Sequence, residues 1–187
     1  PCIARRWEVS EDGMKYTFHL QKGVEFHDHP FLRKNRLVKA DDFVFSFNRI
    51  CDEKTASPGS WVFQSVRRNS AKGVDGFVAE NDSTFSIYLE KAFPPLLGLL
   101  GSAYCSVVPK EVVSKYGKDF RRNPVGTGPF LFHDWVERSA LILHRNENYF
   151  ENDAGGNKLP YLDAVMISFI NDKQSAFMEF LKGKLDL

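Results

Sequence analysis

Between Met14 and Leu20, in "MKYTFHL", the apolar residues Tyr16, Phe18 and Leu20 alternate with Lys15, Thr17 and His19. A period of two marks a strand with one buried face. The turn before it, "EDGM", carries Asp12-Gly13, a strong hairpin dipeptide, so residues 7–26 read as strands and "VEF" (24–26) as a short one after a Lys-Gly turn. In "ADDFVFSFNRIC" (40–51) the period changes. Ala40, Phe43, Val44, Phe47 and Ile50 recur at helical spacing, and Asp41 and Asp42 lie where they favour a helix N-terminus. Alternation returns in "FVAENDSTFSIYL" (77–89), a hairpin turning at Asn81-Asp82-Ser83. It returns again in "PFLFHDWV" (129–136) with "SALILHR" (139–145), and in the strand "DAVMISFI" (163–170).

Shorter signals fill the gaps. "FPPLLGLLG" (93–101) starts at prolines and predicts a short buried helix. "CSVV" (105–108) predicts a buried strand. Pro109 suits the start of a helix through "KEVVSKY", closed by Gly117. In "DKQSAFMEFLKG" (172–183) Asp172 can cap a helix whose apolar face is Ala176, Phe177, Phe180 and Leu181, with Gly183 ending it. "HDHPFLRKNRLVK" and "KTASPGS" (54–60) read as loops. Strands and helices interleave without an internal repeat, which gives a mixed α/β (α+β) class. A chain of 187 residues supports one sizeable core or two small lobes.

Composition narrows the function. Lys plus Arg number 25 against 24 Asp plus Glu, so no basic surface invites nucleic acid or an anionic membrane. No apolar run approaches the ~18 residues of a membrane span. Many of the seventeen Phe stand singly at strand or helix positions, as packing residues do. The chain opens on "PCIARRWEVS" without Met and stops at "GKLDL", and it is read as a segment of a longer protein. Cys2, Cys51 and Cys105 are too few and too scattered for a zinc module or a disulfide scaffold.

The candidate chemistry is sparse. In His27-Asp28-His29 the two histidines would share a strand face, but a structural zinc takes four protein ligands and a catalytic zinc three. The triplet reads better as a strand end entering a turn, and no metal is expected. No Gly-x-Ser-x-Gly elbow exists, and Cys51 and Cys105 fall at core positions, so no catalytic residue is assigned. In "PVGTGPF" (124–130) Gly126-Thr127-Gly128 precedes a strand. A phosphate cradle needs a helix there. The glycines instead allow a tight turn with positive φ and close approach of backbone to a ligand.

Taken in order, "YTFHLQKGVEFHD", the helix "FVFSFNRI", "ENDSTFSIYL", "SVVPKEVV", "NPVGTGPFLFHDW", "LHRNENYF", "LPYLDAVMISFI" and "FMEFLKGKLDL" resemble one family. It is that of the extracellular solute-binding proteins of peptide- and nickel-type ABC transporters, family 5. The resemblance implies a partial first lobe of a type II periplasmic binding protein, cluster C-like, with an extra subdomain. Residues 1–124 would be that extra subdomain and 125–187 part of the main first lobe, the second lobe being absent from the chain. It also implies binding without catalysis or cofactor. The ligand would be an oligopeptide or dipeptide, or another small solute, and the partners ABC permease subunits. The place is the periplasm or cell surface, with the membrane reached only through the permease or a lipid anchor outside this chain. Gly101, Ser102, Ala103 and Tyr104, with Gly126, Thr127 and Gly128, are the residues expected to line or support the cleft; Trp61 is an aromatic neighbour to watch. In the family a Thr usually caps the helix at 40, where Lys39 stands here. Competing readings are a receptor-like sensory or interaction module and, last, a metal-dependent hydrolase built on His27 and His29.

Overall fold

The computed structural model describes residues 2–69 and 73–186. Two compact units divide the chain: Pro1–Arg121 with Val125–Thr127, and Arg122–Pro124 with Gly128–Leu187.

The first unit opens with β1 (Ala4–Val9) and β2 (Lys15–Leu20), then α1 (Ala40–Cys51). A two-residue pair follows, β3 (Arg68–Asn69) and β4 (Gly73–Val74), then β5 (Phe77–Asn81) and β6 (Thr84–Tyr88). The main sheet is antiparallel in the order β1-β2-β6-β5. The alternation in β2 does what its pattern demands: Tyr16, Phe18 and Leu20 are buried, with Tyr16 opposite Ile87 and Phe18 opposite Phe85. Onto this face packs α1. Phe47 sits among Phe63, Phe77 and Phe85 at ring-centroid distances of 4.7, 5.5 and 5.6 Å. Such tilted and edge-on pairs add about 0.5–1.5 kcal/mol each beyond area burial. Six of the seventeen phenylalanines, Phe18, Phe26, Phe47, Phe63, Phe77 and Phe85, are buried.

The Lys39 side chain cannot accept a hydrogen bond, so it cannot cap α1. Asp42 takes over from inside the first turn: its Oδ2 accepts the Lys39 N–H at 2.8 Å, the half of a capping box contributed by the third helical residue. Arg36 grips the same carboxylate with both terminal nitrogens, at 2.7 and 3.0 Å. Its Nε donates to Glu111 at 3.0 Å. Glu111 lies in α3 (Lys110–Tyr116), which follows the one-turn α2 (Leu96–Leu99).

Three predicted elements differ. Residues 24–26 are not a strand: Glu25 makes one isolated bridge to Leu37, and two backbone bonds (Phe26 N–H to Arg36, Val38 N–H to Val24) close the loop between. The helix at 93–101 shrinks to the single turn of α2, with Leu96 its one buried residue. Residues 105–108 form no strand. A 3₁₀ turn covers Ala103–Cys105, and the Val108 N–H and C=O are satisfied by the buried Ser46 hydroxyl of α1 at 3.0 and 3.3 Å. A side chain fills the role that a neighbouring strand would have played.

The second unit is a meander of β7 (Phe130–Val136), β8 (Ala140–Arg145) and β9 (Ala164–Ser168), followed by α4 (Lys173–Leu181). Asp172 caps α4 as predicted, accepting the Ser175 N–H at 2.6 Å. The predicted apolar face of α4 is not buried: no residue of the helix is, and Phe177 and Leu181 are about three-fifths exposed. Among the described residues no helix is long and apolar enough to cross a membrane.

Candidate ligand-binding site

Gly101, Ser102, Ala103 and Tyr104 leave α2 in consecutive tight turns. Gly101 N–H bonds the Gly98 carbonyl, Ser102 N–H that of Leu99, and Cys105 N–H that of Ser102. The turns project Tyr104 outward, 46% exposed, and Trp61 is as exposed at 47%. What seats Tyr104 is Gly59. A Cβ at Gly59 would lie 2.6 Å from both Cβ and Cγ of Tyr104, so only glycine lets that ring lie against the 57–63 turn. The sequence alone gave no sign of Gly59, because nothing local connects it to Tyr104.

The Gly126-Thr127-Gly128 stretch has other neighbours. Gly126 C=O accepts the His27 N–H at 2.8 Å. Gly128 C=O accepts from Asn146 Nδ2 at 3.0 Å, and the Asn146 N–H bonds Pro129 C=O at 2.9 Å. Asn146 is buried, its Oδ1 occupied by the Asn148 N–H. It therefore positions Gly128 as a fixed strut, a role hidden in the sequence by a separation of 18 positions. The expected positive φ does not occur: neither Gly126 nor Gly128 is among the glycines with left-handed backbone. Nor does a close internal contact require them. A Cβ at Gly126 would meet only His27, at 3.9 Å, and one at Gly128 nothing within 4 Å.

His27 and His29 do not act as a pair. His29 packs against Phe31 and Tyr116 at 5.6 and 5.7 Å, its Nδ1 accepting the Phe31 N–H at 3.2 Å. Burial lowers its pKa, which favours the neutral ring. Burial pushes the Cys51 thiol up to about 11 and raises Cys105 as well, the reverse of what an attacking thiolate requires. Among the described residues, no three His, Cys, Asp or Glu side chains gather as a metal cage.

Known proteins resemble this chain in sequence and fold. Heme-binding protein A of Haemophilus influenzae is 33% identical over all of this chain, and the Dipeptide-binding protein of Escherichia coli 30% identical over 98% of it. The chain spans 35% of the length of each. The periplasmic binding protein DppA of Helicobacter pylori, solved in complex with the peptide STSA, superposes with a TM-score of 0.81 at 28% identity, covering 99% of this chain and 36% of that one. The sequence profile of the bacterial extracellular solute-binding proteins, family 5 Middle, matches residues 1–187, and the chain belongs to that family.

Proposed function

We propose that this chain is part of the solute-binding component of an ABC importer and that its ligand is a di- or oligopeptide. The observation carrying this is the match along the whole chain, in sequence and in fold, to receptors named for dipeptides or solved with a peptide. Binding of this kind needs no catalytic group. The protein encloses a solute, and differential contacts favour the closed state that a permease accepts. Residues 1–124 correspond to the extra subdomain of the first lobe and 125–187 to part of its main body. The place of action is the periplasm or cell surface. Peptide main chains are held in such clefts by sheet-like hydrogen bonds. Gly101–Tyr104 and Gly126–Gly128 supply backbone groups and an exposed ring for that purpose, and the open space at the Gly128 Cβ position leaves room for a ligand to approach. A second ligand class has its own support: the relative at 33% identity is named for heme.

Thermal unfolding of the full-length protein against di- and tripeptides and against heme tests the reading. A true ligand at 100 times its Kd adds about 2.7 kcal/mol. Stabilisation by heme alone replaces the peptide assignment, and stabilisation by no solute removes the reading. Gly128→Ala then tests the site. With no atom near the new Cβ and no left-handed backbone, the unliganded protein should keep its stability to within about 1 kcal/mol. A weakened ligand response places the turn against the solute, and an unchanged one moves the site elsewhere.

A further inference from the structure

His133 and His144 lie face to face on the β7–β8 hairpin of the second unit. Their ring centroids are 4.0 Å apart and their planes 15° from parallel, and both residues are exposed. The strands produce this pairing. His144 opposes Leu131, and a bulge between Phe132 and Asp134 inserts His133 as an extra residue ahead of Asp134, which opposes Ile142. A bulge sets two residues against one, so His133 and Asp134 sit on the face that Ile142 shares with His144.

We propose that this pair is a binding site for one divalent transition-metal ion of the imidazole-preferring class: Cu²⁺, Ni²⁺ or Zn²⁺. A neutral imidazole offers one unprotonated ring nitrogen, the donor these ions favour over the oxygen ligands of Mg²⁺ and Ca²⁺. Rotation of two adjacent rings about their side-chain bonds brings those nitrogens together on one ion. Asp134, on the same face, contributes negative charge; its Oδ1 accepts the Trp135 N–H at 2.8 Å. Since no third ligand stands ready among the described residues, water completes the coordination and the ion exchanges. This is a two-point surface clip, unlike the closed four-ligand site of a structural zinc. His27 and His29 are not equivalent to it, because the His29 Nδ1 is engaged by a backbone N–H. The inference stands independently of the ligand assigned to the cleft.

The test is calorimetric titration of the whole chain, free of any affinity tag, with each of the three chlorides above about pH 7. One equivalent should bind, most tightly for Cu²⁺ in line with the general order of divalent affinities. The binding step should vanish in His133→Ala and in His144→Ala and persist in the His27→Ala/His29→Ala double variant. Circular dichroism of the variants verifies that lost binding is not lost folding, since both rings are exposed. A step that survives either single substitution, one abolished by the double variant, or no step with any of the three ions overturns the proposal.

Discussion

Asp153 is half-buried, and four donors converge on its carboxylate. Oδ1 accepts the N–H of Gly155 and of Asn157 at 2.8 and 2.7 Å; Oδ2 accepts Asn157 Nδ2 at 2.9 Å and the Tyr161 hydroxyl. These bonds, led by that of Tyr161, hold the carboxyl well below its ordinary 3.8, at about 2. The sign of the pH effect follows. A carboxyl whose pKa is lowered by folding contributes fully above 3.8, and the contribution disappears as pH falls through about 2. The 152–158 loop should therefore keep its amide shifts at pH 4 and lose them near pH 2. Nuclear magnetic resonance of the Gly155 and Asn157 amides reads this directly, and a midpoint at 3.8 would mean that the four bonds do not hold in solution.

At the scale of elements, the Arg36 guanidinium joins the start of α1 to α3 through Asp42 and Glu111. The Asp42 side chain is 4% exposed and that of Arg36 20%, so solvent does little to screen the pair. Arg36→Met leaves a buried carboxylate with only the Lys39 N–H to answer it. The expected cost is about 3 kcal/mol, the low end for breaking a buried ion pair because one hydrogen bond remains. Denaturant unfolding should show a lower midpoint with unchanged slope, and an unshifted midpoint would deny Arg36 this role. What the sequence revealed and concealed divides along the same line. Helix α1, the β5–β6 hairpin and the Asp172 cap were legible because their causes lie within a few residues: apolar period, turn dipeptide, capping side chain. Residues 105–108 were misread because their backbone partner is Ser46, 62 positions away. The capping role of Asp42 was visible as an acidic first turn; its Arg36 partner was not. The candidate site divides in the same way. Gly126–Gly128 stood out as a turn and Gly101–Tyr104 entered only through the family resemblance, whereas Gly59 and Asn146, which seat Tyr104 and Gly128, act across folded contacts that no local pattern records.

On the scale of the whole chain, apolar burial is uneven. The first unit has a filled aromatic core, while the second leaves Tyr161, Leu162, Met166, Phe177, Met178 and Leu181 each more than half exposed. Single exposed apolar residues are ordinary, but six within one small unit exceed what scattered exposure explains. At about 25 cal/mol per Å² of apolar surface removed from water, any partner surface that covers even part of them is stabilised. The 187-residue chain on its own should therefore bind the dye ANS and sediment as a concentration-dependent mixture of monomer and larger species. High salt should not dissociate those species, because the contact is not ionic. Phe177→Glu with Leu181→Lys should suppress both dye binding and association. Neither side chain is buried within the chain, so the double variant should unfold within about 0.5 kcal/mol of the parent. If the parent instead sediments as a monomer at every concentration and leaves the dye dark, these side chains do not act as an apolar surface in water. If the variant associates as strongly as the parent, the contact lies off α4.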